Sequence, residues 1–488
     1  MKGLKTLVFS LLISTLSTTL LSQQINTDYF IENNPLRQDY NPAFKPKTDY
    51  FISLPFLGNA SILLGNNSIT LKDAVYSANG QTILFNNPNG NIDKFYNTLQ
   101  PNTFIQADLR FNIISFGWRV KKDYITFSID QRVDRMIEVP KSIFRLALYG
   151  TPDLYDNSFD MTKLQSDFSY YTEAGVCYTK RITSELTVGG KLKILYGTAN
   201  ISNTNKNLKL DANIQGWSAQ GDVTLNYTGS QPLNISNKIP FDKNVSIFNF
   251  LKSPSGMGAG IDLGANLKVG ENIVLSASLL DFGFISWYNK VQNTNYNIDY
   301  KYDGVKKFDI FNYDISSPTV LSDSLLNALK ASYSITQTSK SYTTATKAKL
   351  NVGVEYKILN NHLSLGVLSH SDFYNQNINE EITASLNAKP TRWLNAALSY
   401  SLINGQYSAL GFGLGLRTGF MHWMIGADYI PTQFVKLPVS GSSAGNIPIP
   451  YTSRKFNLSF GLNIVLNKST KRYFHNSTGL YGHDVDEE

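Results

Sequence analysis

The chain has 488 residues, of which 42% are hydrophobic and only 17% charged, and its formal net charge is +7. The charged share lies well below the roughly 25% of a typical soluble domain, and the many Tyr, Phe, Gly and Asn residues favour strands and turns over helices. The mild positive charge provides no basic stripe of the kind that binds nucleic acid, and a single cysteine, Cys177, excludes an internal disulfide.

Residues 1–22 are predicted to be a secretory signal peptide. Lys2 and Lys5 precede an apolar stretch that is too short and too rich in Ser and Thr for a membrane anchor, and Ser22 is a small residue before the predicted cleavage site. Cleavage removes two lysines and lowers the formal net charge from +7 to +5. No later stretch reaches 18 uninterrupted apolar residues, so the sequence predicts an exported chain without a spanning helix.

Residues 23–47 are polar, are interrupted by prolines and lack a strand pattern. A stretch of this kind is not expected to cross lipid, because unpaired backbone groups are too costly there. From residue 48 onward the pattern changes to a series of alternating segments.

The segment from 256 to 287 shows this alternation most clearly. Every second residue from Ala259 to Val269 is apolar, and period two places that set on one face of a strand. A tight turn at 270–272 and a second alternating run follow, where a phosphate-binding loop would require a helix. The glycines are therefore predicted to line the small or polar face of a strand rather than a nucleotide site; the residues concerned are Gly258, Gly260 and Gly264.

Similar runs recur along the chain, and their length favours a membrane barrel over a soluble β-sandwich. Runs of about 10 to 15 residues suit a tilted membrane crossing better than the five or six residues of a typical sandwich strand. Short and long connections alternate, as in barrels with short periplasmic turns and long outer loops. We predict an all-β fold, a transmembrane antiparallel β-barrel over residues 48–466. The predicted strands lie near 48–56, 104–120, 124–133, 166–181, 186–202, 256–269, 273–287, 342–357, 361–371, 379–388, 393–403, 406–418, 421–430 and 454–466.

Three features of this predicted barrel stay open or need a test. The runs number about 14, and a further pair within 207–228 would raise the count to 16. Short helices are predicted within the loops, where they would cap or plug the barrel mouth or lie against a loop core, at 92–99, 142–149, 246–252 and 321–333. Aromatic residues near strand ends fit the girdles at the membrane interfaces; they are Trp118, Trp287, Tyr288, Trp393, Tyr400 and Tyr429.

The sequence resembles an uncharacterised family of Bacteroidota outer-membrane barrels. The resemblance rests on QDYNPAFKP (residues 38–46), GGKLKILYG (189–197), GAGIDLGANLKV (258–269) and LSASLLDFGFISW (275–287), and it covers about residues 23–466. Its most specific part is the stretch that contains Asp281, Gly283 and Trp287. The family is similar to the FadL-like barrels, which include hydrophobic-compound transporters and the PorV-type component of type IX secretion.

This resemblance implies a hatch-like N-terminal segment, residues 23–47, with Asn41, Pro42 and Ala43 within or beneath the barrel; a plain linker is the alternative. The chain departs from typical members in its hydrophilic tail, residues 467–488, so we expect the outer-membrane barrel assembly machinery to recognise an internal signal. We expect the protein to reside in the outer membrane, in contact with its lipid.

Alternation also assigns a set of side chains to the lumen. They most simply form a hydrogen-bonded interior, or else line a solute path. Glycines there ease strand curvature, let a hatch pack closely or leave room for a ligand. The set is Asp108, Arg110, Glu173, Lys191, Lys193, Gly258, Gly260, Asp262, Gly264, Glu355 and Arg417.

We predict no catalytic, cofactor-binding or metal site. His362 and His370 are eight residues apart, about 26 Å along a strand, and the adjacent His370, Ser371 and Asp372 cannot converge as a catalytic triad. Two functions stay open: passive transport of a small, hydrophobic solute through a plugged barrel, or a non-transporting scaffold that binds envelope proteins in a secretion or surface-assembly system.

Overall fold

A computed structural model of the chain describes residues 26–78, 81–87, 89–150, 157–213, 216–229, 254–302, 333–374, 377–403, 407–430, 434–437, 447–450 and 454–467. The predicted signal peptide and the helix predicted at 246–252 lie outside these residues. So do the helix predicted at 321–333, except Tyr333, and the predicted C-terminal tail, except Asn467.

The described residues are mostly strands. The first half of the chain contains β1 (Tyr50–Ser53), β2 (Ala60–Asn66), β3 (Val75–Ala78), β4 (Gln81–Leu84), β5 (Asn102–Val120), β6 (Asp123–Pro140), β7 (Asn157–Asp160), β8 (Gln165–Arg181), β9 (Leu186–Asn213) and β10 (Gly216–Thr228). The second half contains β11 (Gly256–Val269), β12 (Ile273–Trp287), β13 (Val291–Tyr302), β14 (Tyr333–Thr338), β15 (Tyr342–Ala345), β16 (Ala348–Ile358), β17 (Leu363–Tyr374), β18 (Asn377–Thr391), β19 (Leu394–Ile403), β20 (Tyr407–Thr418), β21 (Met421–Ile430), β22 (Phe434–Leu437), β23 (Ile447–Pro450) and β24 (Lys455–Leu466).

The sheet closes on itself as a 14-stranded antiparallel barrel, which confirms the predicted fold. Neighbouring strands pair in chain order, and β24 pairs with both β1 and β2, which in turn pair with β5. Together β1 and β2 fill one position in the wall. The strand predicted at 48–56 is present but shorter, at 50–53, and β2 was not predicted; residues 54–59 separate the two strands, and Phe56 has a positive φ of 62°.

The alternative of 16 wall strands is wrong, because the hairpin of residues 207–228 pairs beyond the barrel. Strand β9 pairs with β11 only as far as Gly197, and its remaining residues pair with β10. Strand β10 pairs with β13, and β13 with β14. With 28 residues, β9 is far longer than the roughly 10 residues that cross a membrane, so this second sheet extends past the wall.

The two faces of the wall differ sharply in polarity. Large apolar side chains are exposed on the outer face, for example Leu192 (69% exposed), Val367 (51%) and Leu398 (53%). Their strand neighbours are polar and buried inside, such as Lys193 and Ser399. The ladder pairs the backbone groups between strands, as a wall immersed in hydrocarbon requires.

Two of the aromatic residues predicted for interfacial girdles lie inside the barrel instead. Bulges displace the alternation by one residue near Asp281 on β12 and near Tyr429 on β21, and both residues have positive φ values (54° and 59°). Beyond each bulge the inward positions change parity. Trp287 and Tyr429 are therefore buried, at 0% and 4% exposure, while Tyr288, Trp393 and Tyr400 are exposed as the girdle prediction requires.

Among the residues that the structure describes, three short helices lie in the connections at one end of the barrel: α1 (Leu71–Ala74), α2 (Ile92–Thr98) and α3 (Lys141–Tyr149). Helix α2 is capped by Asn91, whose side chain accepts a hydrogen bond from the Lys94 backbone, and α3 follows Pro140 and ends at Gly150 with φ 72°. Phe95 and Phe144 of these helices pack against Ile137 of β6. No helix in the described part of the chain has the length and apolarity to cross a membrane.

The two barrel ends are called the loop end, where these helices lie, and the turn end. At the turn end the connections are short, as at 121–122, 270–272 and 419–420, and Tyr50 pairs there with Leu466 on one side and with Trp118 on the other. Gly270 and Gly419 have φ of 62° and 63°, a conformation that glycine adopts without strain.

Introducing a charge on the outer face tests the membrane assignment. Val367→Lys places an ammonium near the middle of β17 on the lipid side, and we expect it to lower the free energy of unfolding in lipid vesicles by about 2–4 kcal/mol. Asn272→Lys, at an exposed turn position, is the control and should leave stability within about 0.5 kcal/mol. Equal stability of both variants would contradict a lipid-facing Val367.

Candidate functional site

Residues 26–47, here called the lumen segment, lie inside the closed wall. They contain two short 3-10 turns, Thr27–Phe30 and Arg37–Asp39, and no strand. Most of their side chains are buried, including Tyr29 (1%), Phe30 (2%) and Ile31 (1%). A polar stretch with this degree of burial needs polar partners, and the wall supplies many of them.

The contacts of the lumen segment extend around the whole barrel. Gln38 donates to Thr179 on β8, Asn41 donates to the carbonyls of Ala265 on β11 and Ala277 on β12, and the Tyr29 hydroxyl donates to Ser276. On the opposite side, the Asn26 backbone donates to Asp428 on β21 at 2.6 Å, and Asn33 donates to the carbonyl of Gly415 on β20. Only a segment within the lumen can touch strands on all sides.

Glycines of the wall make room for this segment. A Cβ at Gly366 would overlap the Phe30 ring, one at Gly415 would overlap Asn33, and one at Gly426 would overlap the Asp28 carboxyl. Gly264 faces Asn41 and Pro42 in the same way. The close approach of the lumen segment to the wall, rather than turn geometry, is thus the physical reason for glycine at these strand positions.

Two acidic residues of the lumen segment form ion pairs with the wall. Asp39 lies 2.9 Å from Arg110 and 3.4 Å from Lys191, and Glu32 lies 2.8 Å from Lys389. Burial by itself raises the pKa of Asp39, but the two neighbouring cations outweigh it and the pKa lies below its ordinary value. For Glu32 the cations of Lys47 and Lys389 likewise outweigh burial, and its pKa lies well below the usual range. Both carboxylates therefore remain ionised at neutral pH.

Next to Asp39 the wall carries a buried cluster of charges centred on Asp281. This carboxylate accepts from Lys193 at 2.6 Å, Lys349 at 2.9 Å and Arg132 at 3.0 Å, which come from three other strands. The cluster contains as many acidic as basic groups: Asp39, Asp130, Glu173, Asp262 and Asp281 against Arg110, Arg132, Lys191, Lys193 and Lys349. A cavity of about 30 Å³ borders it and is lined by these charged side chains, except that of Asp130, together with Tyr40, Asn59 and Ser61.

The structure places the predicted charged lumen residues at three heights along the barrel: in the central cluster, on its loop-end side and on its turn-end side. Arg110, Glu173, Lys191, Lys193 and Asp262 belong to the central cluster. Asp108 pairs with Lys347 at 2.6 Å, and Glu355 pairs with Lys389 at 2.9 Å. Arg417 is half-buried near the turn end and donates to the Gly419 carbonyl.

The glycine and signature residues lie on β11 and β12. Gly258 pairs with Ile285 and Gly260 with Gly283, just beyond the bulge. The Trp287 ring covers Gly197, and its Nε1 donates to Thr344. Asn41, Pro42 and Ala43 form the turn of the lumen segment that lies against Gly189 and Gly264, with the Pro42 carbonyl accepting from Thr179 at 2.5 Å.

The sequence patterns left several interior residues unassigned. Asp281 continues the outward row of Ile273, Leu275 and Leu279, so strict alternation directs it into lipid. A carboxylate in that row is itself a signal for a bulge, because the charge cannot remain in hydrocarbon. Its partners Arg132 and Lys349 alternate with apolar residues, so period two does indicate that they face inward, whereas Asp28 and Asp39 lie in a segment without a strand pattern.

The described residues include no group of three His, Cys, Asp or Glu side chains that could hold a metal ion. His370 is buried and lies 3.2 Å from Asp372, while His362 lies at an exposed turn position. Cys177 is buried with its sulfur 3.9 Å from the Pro42 carbonyl. Of these residues, Cys177 packs directly against the lumen segment.

A closed wall with an apolar exterior and a filled, charge-balanced interior defines a membrane-spanning β-barrel of the outer-membrane type. The chain belongs to DUF5723, a family of unknown function, whose family model matches residues 42–428. No curated protein has a sequence that matches this one.

Three solved barrels illustrate what the chain is similar to. The toluene transporter TodX of P. putida has 9% identity and a TM-score of 0.40, with 88% of this chain and 93% of that chain covered. A FadL homologue of Pseudomonas aeruginosa has 10% identity and a TM-score of 0.42 over 92% and 100%. The toluene transporter TbuX of Ralstonia pickettii has 8% identity and a TM-score of 0.41 over 92% and 96%.

Removing the central carboxylate tests the charge cluster. Asp281→Asn leaves Arg132, Lys193 and Lys349 with excess positive charge, and we expect the free energy of unfolding to fall by about 3–5 kcal/mol. Adding Lys349→Met should restore part of that loss, because it rebalances the cluster. Glu271→Gln, at an exposed turn, is the control. A loss no larger than that of the control would show that the cluster does not hold the wall together.

A substitution that creates a steric clash with the lumen segment tests how that segment is held. In Gly264→Ala the new Cβ would overlap Asn41 and lie 2.9 Å from the Ala43 nitrogen, so we expect faster trypsin cleavage after Arg37 in a barrel that still migrates as folded. Gly260→Ala, on the same strand, is the matched control, since its nearest neighbours lie at 3.6 Å or more. Equal cleavage rates in the two variants would contradict the role assigned to Gly264.

Proposed function

We propose that this protein passes small, hydrophobic solutes across the outer membrane by passive transport, with the lumen segment acting as a movable hatch. The observation that carries the proposal is how the segment is attached. It is held by side-chain hydrogen bonds, ion pairs and packing, and within the described residues it adds no strand to the wall. Such a segment can move without breaking the backbone ladder that keeps the wall closed.

Near the loop end, the barrel interior contains an apolar cluster that a hydrophobic solute would meet first. Tyr171, Leu195, Ile285 and Trp287 form a buried cluster on the inner side of β8, β9 and β12. A cavity of about 20 Å³, room for about one water molecule, adjoins Tyr171 and Ile285, so a solute would enter here only as neighbouring side chains move. Between this cluster and the turn end lie the charge cluster and the lumen segment, so passage requires the segment to move.

The second candidate function, a scaffold for envelope proteins, is favoured by the sheet that extends past the wall. Strands β10, β13 and β14 present a broad surface beyond the barrel that a passive channel does not require. Normal uptake of lipids and aromatic compounds by a deletion strain, together with stable co-purification of other envelope proteins, would favour this scaffold over transport.

Tethering the hatch tests the transport proposal directly. The Thr27 and Ser399 hydroxyl oxygens lie 2.6 Å apart, so cysteines at both positions are expected to form a disulfide in a Cys177→Ser background. Uptake of small aromatic compounds should fall severalfold on oxidation and recover on reduction. Each single-cysteine variant is a control that should not respond. Unchanged uptake in the tethered protein would rule out a hatch that moves at this point.

A further inference from the structure

The first residues of the lumen segment bring three buried carboxyl groups together. Asp28 lies over Gly426 of β21 and accepts from the Ser459 hydroxyl on β24 at 2.5 Å. Asp428 accepts from the Asn26 backbone and from the Thr27 hydroxyl. Glu381 on β18 accepts from the Tyr429 hydroxyl at 2.5 Å. All three are at most 1% exposed.

This acidic group differs from the rest of the interior because it has no cation of its own. Among the described residues, no Lys, Arg or His forms an ion pair with Asp28, Asp428 or Glu381. Lys455 is the nearby base, and it lies over the Tyr429 ring at 5.4 Å. Asp28 also has one oxygen, Oδ1, that accepts no hydrogen bond from any described residue.

The surroundings of Asp28 offer little that would keep it ionised. From the segment itself the Tyr40 hydroxyl donates at 3.3 Å. From the wall, β21 contributes Asp428 and Tyr429, β18 contributes Glu381, and β24 contributes Ser459. Strands β19 and β20 present Ser399, Gly411 and Gly413, none of which titrates. Several buried acids without a cation repel each other when ionised, so the site favours a proton.

We propose that a proton on Asp28 keeps the N-terminal end of the lumen segment, near residue 28, docked against the wall, and that loss of this proton weakens the docking. The inference rests on the proposed hatch function and adds a control to it: the end near residue 28 responds to pH. The attachments at Glu32 and Asp39 do not respond near neutral pH, since each is paired with cations. As the pH rises, the segment is therefore released first at its N-terminal end, near residue 28.

The direction of the pH dependence follows from the raised pKa of Asp28. Burial raises the pKa of Asp28 from its ordinary value of 3.8 to about 7, against smaller lowering effects of Ser459 and Tyr40. Docking is thus fully favoured below about pH 4, loses stability as the pH rises towards 7, and changes no further above it. One linked proton changes the docking equilibrium by up to about tenfold per pH unit in that interval.

Amide hydrogen exchange of residues 26–36 in the full-length folded barrel tests the proposal without a transport assay. Measured between pH 4.5 and 8.5, the protection of these amides should fall by up to about tenfold per unit below pH 7 and then level off. Asp28→Asn keeps the shape of the side chain but cannot ionise, so its protection should not show this fall. Comparing the parent protein with Asp28→Asn at each pH removes the intrinsic pH dependence of amide exchange.

Two further variants keep the test decisive if Asp28→Asn folds poorly. Ser459→Ala removes a hydroxyl donor that lowers the pKa of Asp28, so the fall should end at a higher pH. Asp39→Asn should lower protection at every pH and keep the fall unchanged. A flat profile in the parent protein, or the same fall in Asp28→Asn, would overturn the proposal. If protection falls with pH but the Thr27–Ser399 disulfide leaves uptake unchanged, the transport proposal fails and the proton control of docking stands. If protection does not change with pH but the disulfide lowers uptake, the proton control fails and the transport proposal stands.

Discussion

The closed hydrogen-bond ladder is the constraint on which the rest of this structure depends. In hydrocarbon each backbone donor and acceptor of the wall needs a partner, and pairing of β24 with β1 and β2 provides the last of them. Closure fixes the width of the lumen, and a lumen fixed in width must be filled. The lumen segment and the charged side chains around Asp281 fill it together, so wall and interior cannot be understood separately.

Polarity decides how that filling is arranged. An interior lined with acids and bases is stable only where charges are paired, and the cluster around Asp281 achieves this with equal numbers of each sign. The lumen segment joins this network through Asp39 and a second one through Glu32. At residue 28 the same segment meets acids alone, and the balance depends on protons instead. One short segment is thus attached by two physically different means.

Bulges connect the wall to its interior. At Asp281 and Tyr429 an extra residue turns a side chain from lipid to lumen. The first bulge supplies the carboxylate that gathers three cations, and the parity change beyond it buries Trp287 against Gly197. Local irregularity of the strand is therefore what builds the central cluster, in keeping with the frequent role of bulges in redirecting side chains.

Alternation together with run length determined the fold of this protein: residues such as Ala259, Ile261 and Leu263 can all avoid water as one face of a strand, and the length of these runs separates a barrel from a sandwich. It also indicated that Gly264 and Lys193 face inward, because period two is a property of the local backbone. Only the tertiary structure decided which inward groups meet. Asp39 and Arg110 are 71 positions apart, Asn26 and Asp428 are 402 apart, and no local pattern encodes such pairs. Positions at or beyond a bulge, such as Tyr429 and Trp287, were misassigned because one inserted residue reverses a period of two.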